Sequence, residues 1–185
     1  RRPAPGPEAM LALLRGDRPG AVEALRRSLE QAARPPVKCY WFDLYAMSAE
    51  VALALWLDSR RRGGGDHGPW PTMAGQGVAY LGRYARVFPI GEPRAQLYRG
   101  LLAWTAGRPA PARRAWRRAL AAAERLGMAH DQALALDTLG RHGEPGQRPR
   151  YRERARELFD RLGVADRTSP EALAARLAIG DLDRP

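Results

Sequence analysis

Few side chains in this sequence could carry chemistry by themselves. Cys39 is the only cysteine, Lys38 the only lysine, and the three histidines are His67, His130 and His142. A structural zinc site takes four closely spaced ligands, and a catalytic one commonly sets two histidines a helical turn apart. No pair of these histidines has that spacing. A P-loop requires a lysine directly after its second glycine, so that the ammonium reaches the β and γ phosphates. Lys38 stands in "PPVKCY", with no glycine before it. The string "GGGDHG" follows no predicted strand, the context a dinucleotide site requires, and reads as a linker. Nucleophilic catalysis would need Cys39 or a serine beside a base. Cys39 lies among Tyr40, Trp41 and Phe42 at the start of an apolar segment, which predicts a buried, inert thiol. Carboxylates such as Asp137 and Glu153 could meet in space, but such pairs occur in any helical protein. The expectation is a segment that is no enzyme and uses no metal or cofactor.

Arginine is the abundant functional group. Thirty-one basic residues against twenty acidic ones leave a net charge of +11, a balance that raises the case for an acidic partner. The near-absence of lysine points to a general replacement of lysine by arginine, which weakens that signal. The densest stretch is "GRPAPARRAWRRALAAAERLGM", residues 107–128. Its apolar residues Ala112, Ala115, Trp116, Ala119, Leu120, Ala123 and Leu126 recur at three- and four-residue steps, as the buried face of a helix does. Arg113, Arg114, Arg117 and Arg118 occupy the opposite arc. Trp116 belongs to the buried set, whereas a single-strand nucleic-acid binder sets its aromatics beside the basic groups. In "RYRERARELFDR" Arg152, Glu153 and Arg156 flank a core of Ala155, Leu158, Phe159 and Leu162. Nucleic-acid binding is therefore disfavoured against a solvated, basic outer surface.

The elements that must position these groups are helical throughout. Hydrophobic residues make up 45% of the chain, enough for a core, and alanine, leucine and arginine, all strong helix formers, dominate it. Gly- and Pro-rich punctuation cuts the sequence into helices near 7–15, 19–33, 37–61, 72–88, 92–106, 109–126, 129–142, 150–162 and 169–179. Nine helices joined by short turns predict an all-α fold of antiparallel hairpins. The longest uninterrupted apolar run, Val51–Leu57, falls far short of the roughly 20 residues that span a bilayer. No membrane insertion is expected, and the lone cysteine suits a reducing, cytoplasmic setting. The opening "RRPAPGPEAM" carries no signal-peptide core, and a start on Arg1 suggests a piece of a longer chain.

The helices repeat. From Gly100, the residues Gly107, Ala112, Trp116 and Ala119 follow at seven, five, four and three positions. From Ala9, the residues Gly16, Ala21, Leu25 and Ser28 follow at the same spacings. Gly140, Ala155, Phe159 and Leu162 form a looser copy with a lengthened turn. In each copy a small residue lets two helices approach, a glycine makes the turn, and a large residue fills the gap one turn after the next small one. "ERLGM" and "DRLGV" both stop on Leu-Gly, as a left-handed C-cap prefers.

This small–turn–small–large–small pattern resembles the tetratricopeptide repeat (TPR), a helical hairpin that stacks into a right-handed solenoid. The repeat here is longer, at 40 residues from Gly100 to Gly140 against about 34 in the standard unit. The stretch "YRGLLAWTAGRPAPARRAWRRALAAAERLGMAHDQALALDTLGRH" with "RERARELFDRLGV" is similar to the degenerate arrays that end large bacterial signalling proteins. The resemblance implies one TPR-like domain over residues 1–185, with hairpins at about 7–33, 37–88, 91–127 and 129–163 and a capping helix at 169–180. It also implies a non-catalytic module that binds a protein segment or regulates neighbouring domains of the same signalling chain. In such arrays the first helix of each hairpin lines the binding groove, which here would present Arg94, Leu97, Leu101 and Trp104, then Leu134, Asp137 and Arg141. These apolar residues could equally pack on neighbouring hairpins. Binding of nucleic acid or another acidic partner through the arginine face, and sensing of a small ligand in the superhelix, are the alternatives.

Overall fold

The computed structural model describes residues 5–36, 38–62 and 68–164, all of whose regular structure is helical. The helix expected at 169–180, and His67 within the glycine-rich linker, lie outside the described residues. The chain divides into two compact units between Val87 and Phe88. The hairpins expected at 7–33 and 37–88 fall in the first unit but for Phe88, and those at 91–127 and 129–163 in the second. No helix among the described residues is long and apolar enough to cross a membrane.

The first unit comprises α1 (Pro5–Leu14), α2 (Arg18–Ala32), α3 (Phe42–Arg61) and α4 (Trp70–Val87). Helix α3 packs against all three of the others, which is why its sequence is apolar on nearly every side, with Leu44, Tyr45, Ala49, Val51, Leu53 and Leu55 all buried. Small residues set the distances. A methyl group on Gly6 would lie 2.9 Å from the Cα of Leu44, and one on Gly77 2.9 Å from the Cα of Ala49, so α1 and α4 touch α3 backbone to backbone. Asp58, fully buried, takes ion pairs from Arg18 and, at 2.9 Å, Arg62. Arg83 on α4 donates to the carbonyls of Ala32 and Ala33, each at 2.7 Å, and so satisfies acceptors that the end of α2 leaves open.

Helix α3 starts later than the expected residue 37. Lys38 is extended, and Cys39–Trp41 form a single 3-10 turn before the α-helix begins. Cys39 is exposed there, which corrects the expectation of a buried thiol. The ring of Tyr84 takes the interior position instead. It packs 4.8 Å from the Tyr45 ring, and its hydroxyl donates to the Cys39 carbonyl. Burial, with smaller contributions from Cys39, Tyr45 and Asp43, pushes the Tyr84 phenol up to about 12.

The second unit comprises α5 (Glu92–Thr105), α6 (Pro109–Arg125), α7 (Ala129–His142) and α8 (Arg148–Leu162). Helices α5 and α6 pack together, as do α7 and α8, and α7 also packs on both α5 and α6. The turn after α5 matches the one after α1. Gly107 and Gly16 are left-handed, with φ of 70° and 76°. Arg108 and Asp17 then donate from their backbone N–H groups to the carbonyls of Ala103 and Ala12, five residues back, each at 2.9 Å. Gly127 and Gly163 end α6 and α8 in the same way. With a second hydrogen bond from each glycine N–H, Gly107 to Trp104 and Gly16 to Leu13, this closes the last turn of the helix, and it needs a residue that tolerates positive φ. Gly107→Ala should therefore cost about 1–2 kcal/mol in a urea-unfolding measurement. Gly146→Ala, at a turn position without positive φ and with open space around the added methyl, should be near neutral. Equal costs for the two would show that the left-handed turn is not what the glycine serves.

Candidate functional site

Helices α5 and α7 carry the seven residues expected to line a groove. Leu97, Leu101 and Leu134 are buried, at 5%, 3% and 2% exposure. Arg94 is buried as well, in the contact between the two helices. Its Nε bonds the Asp131 carboxylate at 2.5 Å, Nη1 donates to the Tyr98 hydroxyl at 3.2 Å, and Nη2 to Nδ1 of His130 at 3.0 Å. Because arginine can only donate, Nδ1 of His130 accepts and the proton of the neutral ring sits on Nε2. Burial, together with the Arg94 charge, holds His130 below its ordinary pKa. Arg141 and Asp137 are half-buried and pair with each other at 2.7 Å. Burial raises the Asp137 carboxyl above its usual range, against the opposing pull of Arg141 and Arg152. Glu153, the other carboxylate considered with Asp137, is exposed.

Trp104, half-buried, stacks on two rings. The His142 ring lies 4.8 Å from it and Trp116 5.6 Å, with His142 and Trp116 also 5.6 Å apart. Enclosed by indoles and near Arg141 and Arg148, the His142 imidazole falls to about 4, with burial the larger cause. The unfolded chain takes up this proton at its ordinary pKa near 6.5, and the folded chain does so only near 4. Stability from this group is therefore complete above 6.5 and lost as pH falls through 4. In urea melts between about pH 7 and about pH 4, wild type should lose stability on acidification. His142→Phe should flatten that slope, leaving the part due to His130 and the opposing one from Asp137, whose raised carboxyl takes up its proton more readily in the folded chain. An unchanged slope would place the proton uptake elsewhere.

Helix α6 has Ala112, Ala115, Trp116, Ala119, Leu120 and Ala123 buried, the apolar face that its periodicity marks. Of the four arginines on the other arc, Arg114, Arg117 and Arg118 are exposed. Arg113 differs. It is half-buried, donates to the His142 carbonyl at 3.2 Å and pairs with Glu144 at 2.7 Å, tying α6 to the end of α7. The arc is thus split between a tether and an open face.

That open face borders a groove between α5 and α6 of about 440 Å³. Arg99 from α5, Arg108 from the turn, and Arg114 and Arg118 from α6 surround it, and all four are exposed. Leu102, Ala103, Pro111 and Ala115 supply an apolar floor, and Gln96 completes the lining. Among the described residues no acidic side chain borders the groove. By contrast, the groove between α6 and α8 includes Glu124, which pairs with Arg154, and the one between α2 and α4 includes Glu30. The four arginines take no carboxylate partner among the described residues. The Oε1 of Gln96 is buried with no hydrogen-bond partner there. The sequence held one available signal for this site. Gln96, Arg99 and Ala103 fall at i, i+3 and i+7, and Pro111, Arg114, Ala115 and Arg118 at i, i+3, i+4 and i+7. These are two stripes that can face each other only once α5 and α6 form a hairpin.

Among the described residues no group of three histidine, cysteine or acidic side chains could hold a metal ion. What the second unit offers instead is an exposed cationic groove beside a closed, ion-paired helix contact. No family model, no curated protein and no solved structure matches this chain.

Proposed function

We propose that this chain is a non-catalytic, TPR-like helical-repeat module that binds a protein segment or regulates neighbouring domains of a larger cytoplasmic, bacterial signalling protein. The observation that carries the reading is the agreement between its two best-matched hairpins. Ala9 and Gly100 fill the small slot of the first helix, Gly16 and Gly107 make the same left-handed turn, and Ala21 and Ala112 are fully buried in the second helix. Leu25 and Trp116 then occupy the large slot, both at 0% exposure. In each unit the first helix of one hairpin also packs on the first helix of the next, α1 on α3 and α5 on α7, the contact through which repeats propagate as a right-handed solenoid. A module of this kind works by presenting surface rather than reactive groups.

The test is cross-linking of the native polypeptide in its own cells, followed by mass spectrometry. Expected are cross-links from positions within residues 5–164 to another protein or to a further domain of the same polypeptide. Cross-links confined to the segment itself, at a native length near 185 residues, would overturn the reading.

A further inference from the structure

We infer that the groove between α5 and α6 is a docking site for an acidic protein segment, an aspartate- and glutamate-rich stretch with interspersed aliphatic side chains. This rests on the reading of the chain as an interaction module and names the partner chemistry that one surface of it fits. Four guanidinium groups converge on the groove from two helices and a turn, and none has a carboxylate partner among the described residues. Two arginines nearby are neutralised, Arg113 by Glu144 and Arg125 by Glu92, while the four at the groove stand together without a carboxylate. Gathering like charges without counter-charges disfavours the folded chain, and a bound polyanion relieves it. Arginine's planar fork matches carboxylate geometry with two parallel hydrogen bonds.

The floor of the groove favours a peptide over a nucleic acid. The floor is made of Leu102, Ala103, Pro111 and Ala115. It suits aliphatic side chains and lacks an aromatic platform for a base, since Trp104 and Trp116 stack on each other and on His142.

The experiment is fluorescence anisotropy on the full 185-residue chain. The probes are a labelled peptide repeating Glu-Glu-Leu, a Lys-Lys-Leu counterpart of equal length, and an oligothymidylate. The acidic peptide should bind, the basic one should not, and the oligothymidylate should bind more weakly than the acidic peptide. Binding should weaken with added salt, as exposed charge pairs do. Arg114→Glu with Arg118→Glu should weaken binding of the acidic peptide by about tenfold or more, a loss of about 1.4 kcal/mol or more. Arg26→Glu with Arg86→Glu changes net charge equally at exposed positions of the first unit and should leave affinity within about twofold. Arg99→Gln with Arg108→Gln repeats the test without charge reversal, so the result does not depend on one pair of variants folding.

Equal losses from both charge-reversed pairs would show that only net charge matters, and tighter binding of oligothymidylate would make the groove a nucleic-acid site. Failure of the acidic peptide to bind would overturn this inference alone. The cross-links to another protein or domain would still decide the broader reading.

Discussion

Trp116→Ala should remove about 3–5 kcal/mol of stability, among the largest single-residue losses we expect in this chain. Trp116 is the largest fully buried side chain in the protein. Its indole fills the space between α5 and α6, stacks against Trp104 and His142, and donates from Nε1 to the Leu97 carbonyl at 3.2 Å. Truncation removes that packing and leaves a void bounded by two rigid rings, a site that cannot collapse easily. Small domains have only about 5–15 kcal/mol in hand, so urea unfolding should begin at much lower concentration. Trp116→Phe keeps most of the volume and loses one hydrogen bond, and its cost should be well under half of that for alanine.

The tryptophan is admitted by a glycine, and the two should be coupled. A methyl group built on Gly100 lies 2.3 Å from Nε1 of Trp116 and 2.5 Å from Cδ1, closer than atoms can stand. The ring is pinned by its stacking partners, so Gly100→Ala alone should destabilise by about 1–3 kcal/mol through overpacking. Once Trp116→Ala has emptied the slot, the same substitution meets no ring. It should then stabilise α5 by up to about 1 kcal/mol, the helix-propensity gain of alanine over glycine. A double-mutant cycle reads this change of sign directly. Additive effects would mean that Gly100 is not the space through which Trp116 enters.

That coupling was legible in the residues themselves, because small and large slots recur at fixed spacing around Gly16 and Gly107. The helix bounds were legible for a related reason: proline near a helix start and glycine past its end act through local backbone geometry, which a sequence displays. The start of α3 was not, since the extended Lys38 and the 3-10 turn at Cys39–Trp41 depend on where Tyr84 packs. Side-chain pairing between helices was also hidden. Arg113 lies on the polar arc of α6 by periodicity, yet Glu144 and the His142 carbonyl draw it inward. Arg99 and Arg108 carry no mark that sets them apart from other arginines until the hairpin brings them beside Arg114 and Arg118. Arg94 showed the same limit most sharply. The repeat pattern sets it in the row expected to line the groove, and its partner in the structure is Asp131, 37 residues away.

Arg94→Ala should consequently lower stability by about 3–5 kcal/mol, the usual cost of removing one member of a buried ion pair. The Arg94 and Asp131 side chains are only 11% and 8% exposed. Without Arg94, the Asp131 carboxylate stays desolvated beside Nδ1 of His130, which has lost its own donor. Replacing both ends with apolar groups removes the stranded charge, so Arg94→Leu with Asp131→Leu should recover most of the loss and approach wild-type stability. Asp131→Asn, which keeps an acceptor for the guanidinium, should cost less than Arg94→Ala. Denaturant melts of the three variants compare these costs, and a loss below about 1 kcal/mol for Arg94→Ala would mean that the pair contributes as little as a surface one. The same series separates folding from recognition. If Arg94 serves only the contact between α5 and α7, the double-leucine variant should restore acidic-peptide binding together with stability. Arg114→Glu with Arg118→Glu, in contrast, should weaken binding about tenfold or more in a chain at least as stable as wild type.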